Sequence, residues 1–155
     1  MPATAPFRIV PLAGDVAARA RRTLRDDHGH ALRVVTAVES APCRLTLRQI
    51  QPGERAILMS YSPFAGDHPY REIGPIFIRA DDAAAYGSPD RWPSEIDPTT
   101  RVFRAYNAAE EIIDARVGTA TPETLIADLF SNPATDCLHV RSLTHGCYTF
   151  KIARA

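Results

Sequence analysis

Lysine is almost missing from this chain: it occurs once, at Lys151, whereas arginine occurs 17 times. With abundant alanine and proline, that skew reads as a coding bias toward GC before it reads as function. An excess of charge is missing too, since 18 basic residues face 18 acidic ones and the formal net charge is zero. A neutral chain has no global field to hold a polyanion, so nucleic acid is not expected as a partner, and only a local arginine patch stays open. Cysteine is scarce and odd in number. Cys43, Cys137 and Cys147 offer no disulfide framework, and reduced thiols in a cytoplasmic protein are the simplest reading. No run approaches 18 apolar residues, so no membrane span is expected. Met1 to Phe7 lack the basic-then-apolar order of a signal peptide. Phosphate loops, Gly-x-Gly-x-x-Gly turns and Gly-x-Ser-x-Gly elbows are absent, so neither a cofactor nor a resident metal is expected.

What is present suits one ordinary domain over residues 1–155. At this length about 68–70% of the unfolded chain's surface can be buried, enough to fold without a disulfide or metal. Phe7 to Leu12 reads as a short strand. Asp15 is placed to cap a helix running to about His28, stopped by Gly29, with Val16, Ala20 and Leu24 as its apolar stripe. Its arginines, Arg19, Arg21, Arg22 and Arg25, fit a solvated face balanced by Asp26 and Asp27, with a basic docking helix as the alternative.

Leu32 to Val38 reads as a strand, and Leu45 to Ile50 stays ambiguous. Gln51-Pro52-Gly53 forms a turn, because proline presets φ and glycine accepts the positive φ that follows. Ala56 to Tyr61 is apolar on both alternating faces, as in a central strand, and Ile76 to Ile78 resembles another. Val102 to Tyr106 and Ile112 to Val117 flank a hairpin turn. In the second helix Thr121 takes the cap position and Pro122 the first turn, while Leu125, Ile126, Leu129 and Phe130 share a face. Cys137 to Ser142 and Cys147 to Ile152 close the chain as a hairpin around Gly146. Turns and loops, rather than helical crossovers, join most of these strands. The expected fold is therefore α+β, a mostly antiparallel sheet with two helices.

Pro42-Cys43-Arg44, Gly53-Glu54, Tyr61, Pro69-Tyr70-Arg71, Gly74-Pro75-Ile76-Phe77, Arg104-Ala105-Tyr106 and Gly146-Cys147-Tyr148 occur in one order. That ordered set resembles a family of small bacterial proteins catalogued as domain of unknown function 1203, over nearly the whole chain. The resemblance implies a shared fold and brings no activity, ligand or catalytic residue with it. Cys137 and His145 lie outside the pattern.

Three constellations carry chemistry. Cys43 precedes Arg44, whose guanidinium favours a thiolate, and Cys147 follows Gly146, so a thiol-dependent enzyme using either cysteine is one reading, with a small buried hydrophobe as the alternative. Cys137 with His139, and His145 with Cys147, are each two apart and would share a strand face as metal ligands, but they lack the paired-cysteine turns of structural zinc sites. Arg44, Tyr61, Tyr70, Arg71, Arg104 and Tyr106, with Asp114 and His139, fall at strand ends or in a long loop. If they converge, they would bind a small anionic or polar molecule through bidentate hydrogen bonds. Against this stand ordinary ion pairs, Arg71 with Asp67 or Glu72 and Arg104 with Asp114. The long stretches Ser62 to Pro75 and Ala80 to Thr100 are either functional loops or covers pinned by their aromatics. A protein-interaction module presenting a sheet edge or the Trp92 loop is the third reading. Oligomeric state is open.

Overall fold

A computed structural model describes residues 6–155. Most of the segment read for a signal peptide therefore lies outside the described residues. Ten strands and two helices follow one another as β1 (Phe7–Val10), α1 (Gly14–Thr23), β2 (Val34–Thr36), β3 (Ala41–Pro42), β4 (Gln49–Ile50), β5 (Arg55–Tyr61), β6 (Gly74–Arg79), β7 (Arg101–Tyr106), β8 (Ile112–Val117), α2 (Pro122–Phe130), β9 (Cys137–Ser142) and β10 (Tyr148–Arg154). Every strand pairing is antiparallel. The class is α+β, as the turn-rich sequence implies. No helix among the described residues is long and apolar enough to cross a membrane.

A five-stranded sheet runs β1-β10-β9-β7-β8, a three-stranded sheet runs β2-β5-β6, and β3 and β4 form a small ribbon. Alternation in the large sheet sends Phe103 and Ala105, opposite Val140 and Leu138, to one face. There they join Leu125, Ile126, Leu129 and Phe130 of α2 in one core. A second core gathers Leu12, Ala17 and Ala20 with Ile57, Met59, Ile76 and Ile78 of the smaller sheet. Tyr148 belongs to this second core although Phe150, two residues on, belongs to the first. A bulge resolves this: Tyr148 pairs with Arg141 while Phe150 pairs with Val140, so Thr149 is the extra residue and reverses the alternation.

Several local expectations shift. Helix α1 stops at Thr23, well short of His28. Leu24 turns left-handed at φ 50° and its N–H bonds to the Ala20 carbonyl. Asp15 lies inside the first turn, and Ala13 holds the cap position without a side-chain bond. Thr121 occupies the cap position of α2, but its hydroxyl faces Thr119 instead of the helix. The segment from Leu45 resolves into a turn closed by Leu47 N–H to Cys43 C=O, and only Gln49 and Ile50 are strand. The last strand begins at Tyr148, leaving Cys147 in the turn. Gly53 takes φ 91°, as its turn requires.

The long loops are pinned from inside. Trp92 stacks on Phe103 with ring centres 5.4 Å apart and donates its indole N–H to Ile96 C=O at 2.6 Å. Phe64 packs edge-on to Tyr106 and His139.

Beyond α1, the Asp26 side chain is closed to solvent. One carboxylate oxygen accepts the N–H groups of His28 and His30; the other accepts Ser60 N–H from β5 and faces the His30 ring. Burial pushes this carboxyl up, but the donors outweigh it and hold its pKa at about 2. The carboxylate is thus favoured in the folded state. Its contribution of about 2 kcal/mol is complete above pH 4 and is lost as pH falls toward 2. Asp26→Asn is expected to cost about that much at pH 7 and to flatten the stability profile between pH 4 and 2, as measured by urea unfolding.

Candidate functional site

Arg44 stands at the junction of the two sheets. Its backbone N–H donates to Phe77 C=O of β6, and its C=O accepts from Leu12 N–H. Its side chain, in a residue 4% exposed, donates from Nε to Tyr148 C=O at 2.8 Å and from Nη1 to Pro42 C=O at 2.6 Å. The acceptor on β10 is the residue flanking the bulge. Burial lowers the Arg44 pKa to about 10, with the like charge of Arg101 adding to it and the Cys147 thiol opposing.

Arg101 opens β7. Gly118 N–H donates to its carbonyl at 2.8 Å, closing the end of the hairpin. That close approach demands glycine, because a Cβ at Gly118 would lie 1.9 Å from the Pro98 carbonyl oxygen. The Arg101 guanidinium reaches inward to the Thr149 hydroxyl at 3.1 Å, and its Nε is buried without a partner. Burial lowers the pKa of this group as well, with the more distant charge of Asp97 opposing. Three arginines are buried among the described residues: Arg44, Arg101 and Arg141. Arg141 approaches Glu72 to 2.8 Å, but no carboxylate lies within salt-bridge distance of Arg44 or Arg101.

Both unpaired guanidinium groups line one cleft of about 750 Å³. Val35, Ala56 and Phe77 form an apolar wall on one face of the three-stranded sheet, and Ser142, His145 and Cys147 stand on the other side. The openness of that face also explains why Leu58, beside Phe77, is 45% exposed in a strand expected to be buried on both sides. A groove of similar size, about 790 Å³, runs past Arg79, Asp81 and Glu95, but its charged walls are already occupied by ion pairs such as Arg79 with Glu54.

The expected constellation divides. Tyr61 lines a smaller cavity of about 280 Å³ with Glu72, Arg141, His145, Cys147 and Tyr148. Arg104 pairs with Glu72 at 2.9 Å instead of Asp114, which pairs with Arg116. Tyr106 is 1% exposed with an unpartnered hydroxyl. That hydroxyl lies near Arg104 and, with Glu72, holds its pKa above the ordinary value despite burial, though no well-formed hydrogen bond joins the two. Tyr70 is 40% exposed, and Arg71 pairs with Asp67; neither lines these cavities. Arg44 alone of the six reaches the larger cleft.

Of the thiols, Cys43 is fully buried and its Sγ accepts Arg79 N–H at 3.4 Å. Cys147 is half-buried and lines both the large cleft and the small cavity. Cys137 is buried, and its pKa is pushed up to about 11 by that burial. Among the described residues no three His, Cys, Asp or Glu side chains gather as a metal site needs.

Arg101, Arg141 and Ser142 were not singled out in the sequence, and Glu72 was named only as a partner for Arg71, although it pairs with Arg104 and Arg141. A signal existed: Arg101 shares its strand face with Phe103 and Ala105, and Arg141 shares one with His139, so both arginines fall in rows that are buried.

Fold and site together define a small antiparallel α+β protein with a buried arginine pair at the seam between two sheets. The chain belongs to the family described as Protein of unknown function (DUF1203), whose model matches residues 40–154. That span takes in both seam arginines. No curated protein matches the chain. No solved structure matches it either.

His139, 2% exposed, is held neutral: burial first, then the charges of Arg141 and Lys151, bring its pKa down to about 3. The unfolded chain takes up this proton near pH 6.5 and the folded chain does not. Stability is therefore unaffected by this group above pH 6.5 and falls between pH 6.5 and about 3, by about 1.4 kcal/mol per pH unit in mid-range. Relative to wild type, His139→Gln is expected to lose that part of the slope in urea titrations at pH 4 to 7.

Proposed function

We propose that this protein is a single-domain binding module for a small anionic molecule, seated in the cleft where Arg44 and Arg101 meet. The observation that supports it is the pair of buried guanidinium groups without a carboxylate. Burying a cation is costly unless it is paired, and two unpaired cations sharing one wall repel each other as well. A small carboxylate or phosphate entering the cleft relieves both costs at once and takes hydrogen bonds from the planar guanidinium edges. Arg44 already spends Nε and Nη1 on backbone carbonyls, leaving Nη2 for a ligand, while Arg101 holds only Thr149. Ser142 and His145 add polar contacts, and the Val35, Ala56 and Phe77 wall suits an apolar body behind the anionic group. With balanced net charge, selectivity comes from this enclosed pair and not from a long-range field.

Arg101 separates this reading from an architectural role. Removing a buried charge that no ion pair holds leaves stability unchanged or improves it, whereas removing a structural clasp weakens the fold. Arg101→Gln is expected to keep or raise the ligand-free melting temperature, by about 2–4 °C for each kcal/mol gained in a chain of this size. The same variant is expected to need about tenfold more inorganic phosphate or acetate for the stabilisation wild type shows, which at 100 times Kd is about 2.7 kcal/mol. A destabilised variant, or one that responds to both anions at the same concentrations as wild type, overturns the proposal.

A further inference from the structure

The smaller cavity points to a second site, built on different residues. Arg104 of β7 and Arg141 of β9 project from the same face of the large sheet, since Arg104 pairs with His139 and Arg141 lies two residues further on. One carboxylate serves both: Glu72 meets Arg104 Nη1 at 2.9 Å through one oxygen and Arg141 Nη1 at 2.8 Å through the other. The two sides of this bridge are unequal. The Arg141 side chain is 7% exposed and fixed by Gly146 C=O, whereas Glu72 is 44% exposed and comes from the loop between β5 and β6.

The surroundings are short of hydrogen-bond partners. Five buried side-chain nitrogen or oxygen atoms among the described residues have none, and four belong to His68, Tyr106, His139 and Arg141. Phe64 of the same loop lies edge-on to His68, Tyr106 and His139, so it covers three of them. Glu110 ties the loop's start by accepting Ala65 and Gly66 N–H, and Glu72 ties its end. Beside the Glu72–Arg141 contact lies the cavity of about 280 Å³. That size is at the low end for ligand pockets and suits a small oxyanion.

We infer that Arg104 and Arg141 form a second anion site, in which Glu72 is an internal carboxylate that an external carboxylate or phosphate displaces through the adjoining cavity. The incoming anion takes the place of the carboxylate it displaces, so the arginines stay paired throughout. Only the loop ending at Glu72 is released, and with it the cover over Tyr106 and His139. An internal competitor keeps the site closed until the anion is abundant, because tethering gives Glu72 a high effective concentration.

The test is made in the Arg101→Gln background, where the larger cleft is weakened, so failure of either proposal is read separately. Inorganic phosphate and acetate are titrated by calorimetry, and hydrogen exchange follows the amides of His68 and of Tyr70 to Ile73. Adding Glu72→Gln is expected to tighten binding of at least one anion tenfold or more, and the preferred anion names the ligand's chemistry. The loop amides are expected to exchange faster in Glu72→Gln without anion, and in the Glu72 parent only when anion is added. Adding Arg141→Gln to the Glu72→Gln protein is expected to remove the binding. Equal affinity with and without Glu72, or binding that survives Arg141→Gln, overturns the inference. Loss of folding in both Glu72→Gln and Glu72→Ala also overturns it, marking the bridge as a structural tie.

Discussion

The contact between Arg44 and the carbonyl of Tyr148 joins parts of the chain 104 residues apart. It holds the large sheet to the small one. Around it the Arg44 backbone bonds to Leu12 on one side and Phe77 on the other, so one residue reaches the chain's first segment, β6 and β10. The clasp requires a cation in a place that burial makes costly for cations. It is stable because its donors meet carbonyls at 2.6 and 2.8 Å, which satisfies hydrogen bonding without neutralising charge. The remaining positive charge is then available to the cleft.

The bulge at Thr149 links this clasp to both cavities. By adding one residue it turns Tyr148 toward the second core and places the Thr149 hydroxyl against Arg101. The turn before it, ending at Cys147, lies between the two cavities, which share His145 and Cys147 in their walls. Arginine is well suited to such a seam. Its charge persists even when burial lowers its pKa to about 10, and its several donors can meet carbonyls and a ligand together. A lysine would lose its proton more readily and offers no planar edge.

Much of the architecture was legible in the sequence because it follows from local rules. The helix over Pro122–Phe130 is announced by its proline and its four-residue apolar face, and the β7–β8 and β9–β10 hairpins by alternation around turn residues. The end of α1 was not legible. Asp26 leaves the helix for the Ser60 amide on β5, a long-range bond that outweighs the local propensity to continue. The site was legible only in part. Tyr70 and Arg71 sit in a conspicuous loop yet face solvent or a neighbouring aspartate, while Arg101 carried its signal only as a charge in an apolar row.

The sequence by itself determined the α+β class, the antiparallel pairing of neighbouring segments and the apolar face of α2, whereas in α1 it is Ala17 and Ala20 that are buried and Leu24 is exposed. These depend on side-chain period, proline and glycine, whose effects act within a few residues. Tertiary structure decided which arginines are paired. Glu72 reaches Arg104 and Arg141 across 32 and 69 positions, and Arg44 meets Tyr148 across 104. Whether a charge is neutralised depends on what lies within about 4 Å of it in space, and spacing along the chain does not encode that distance.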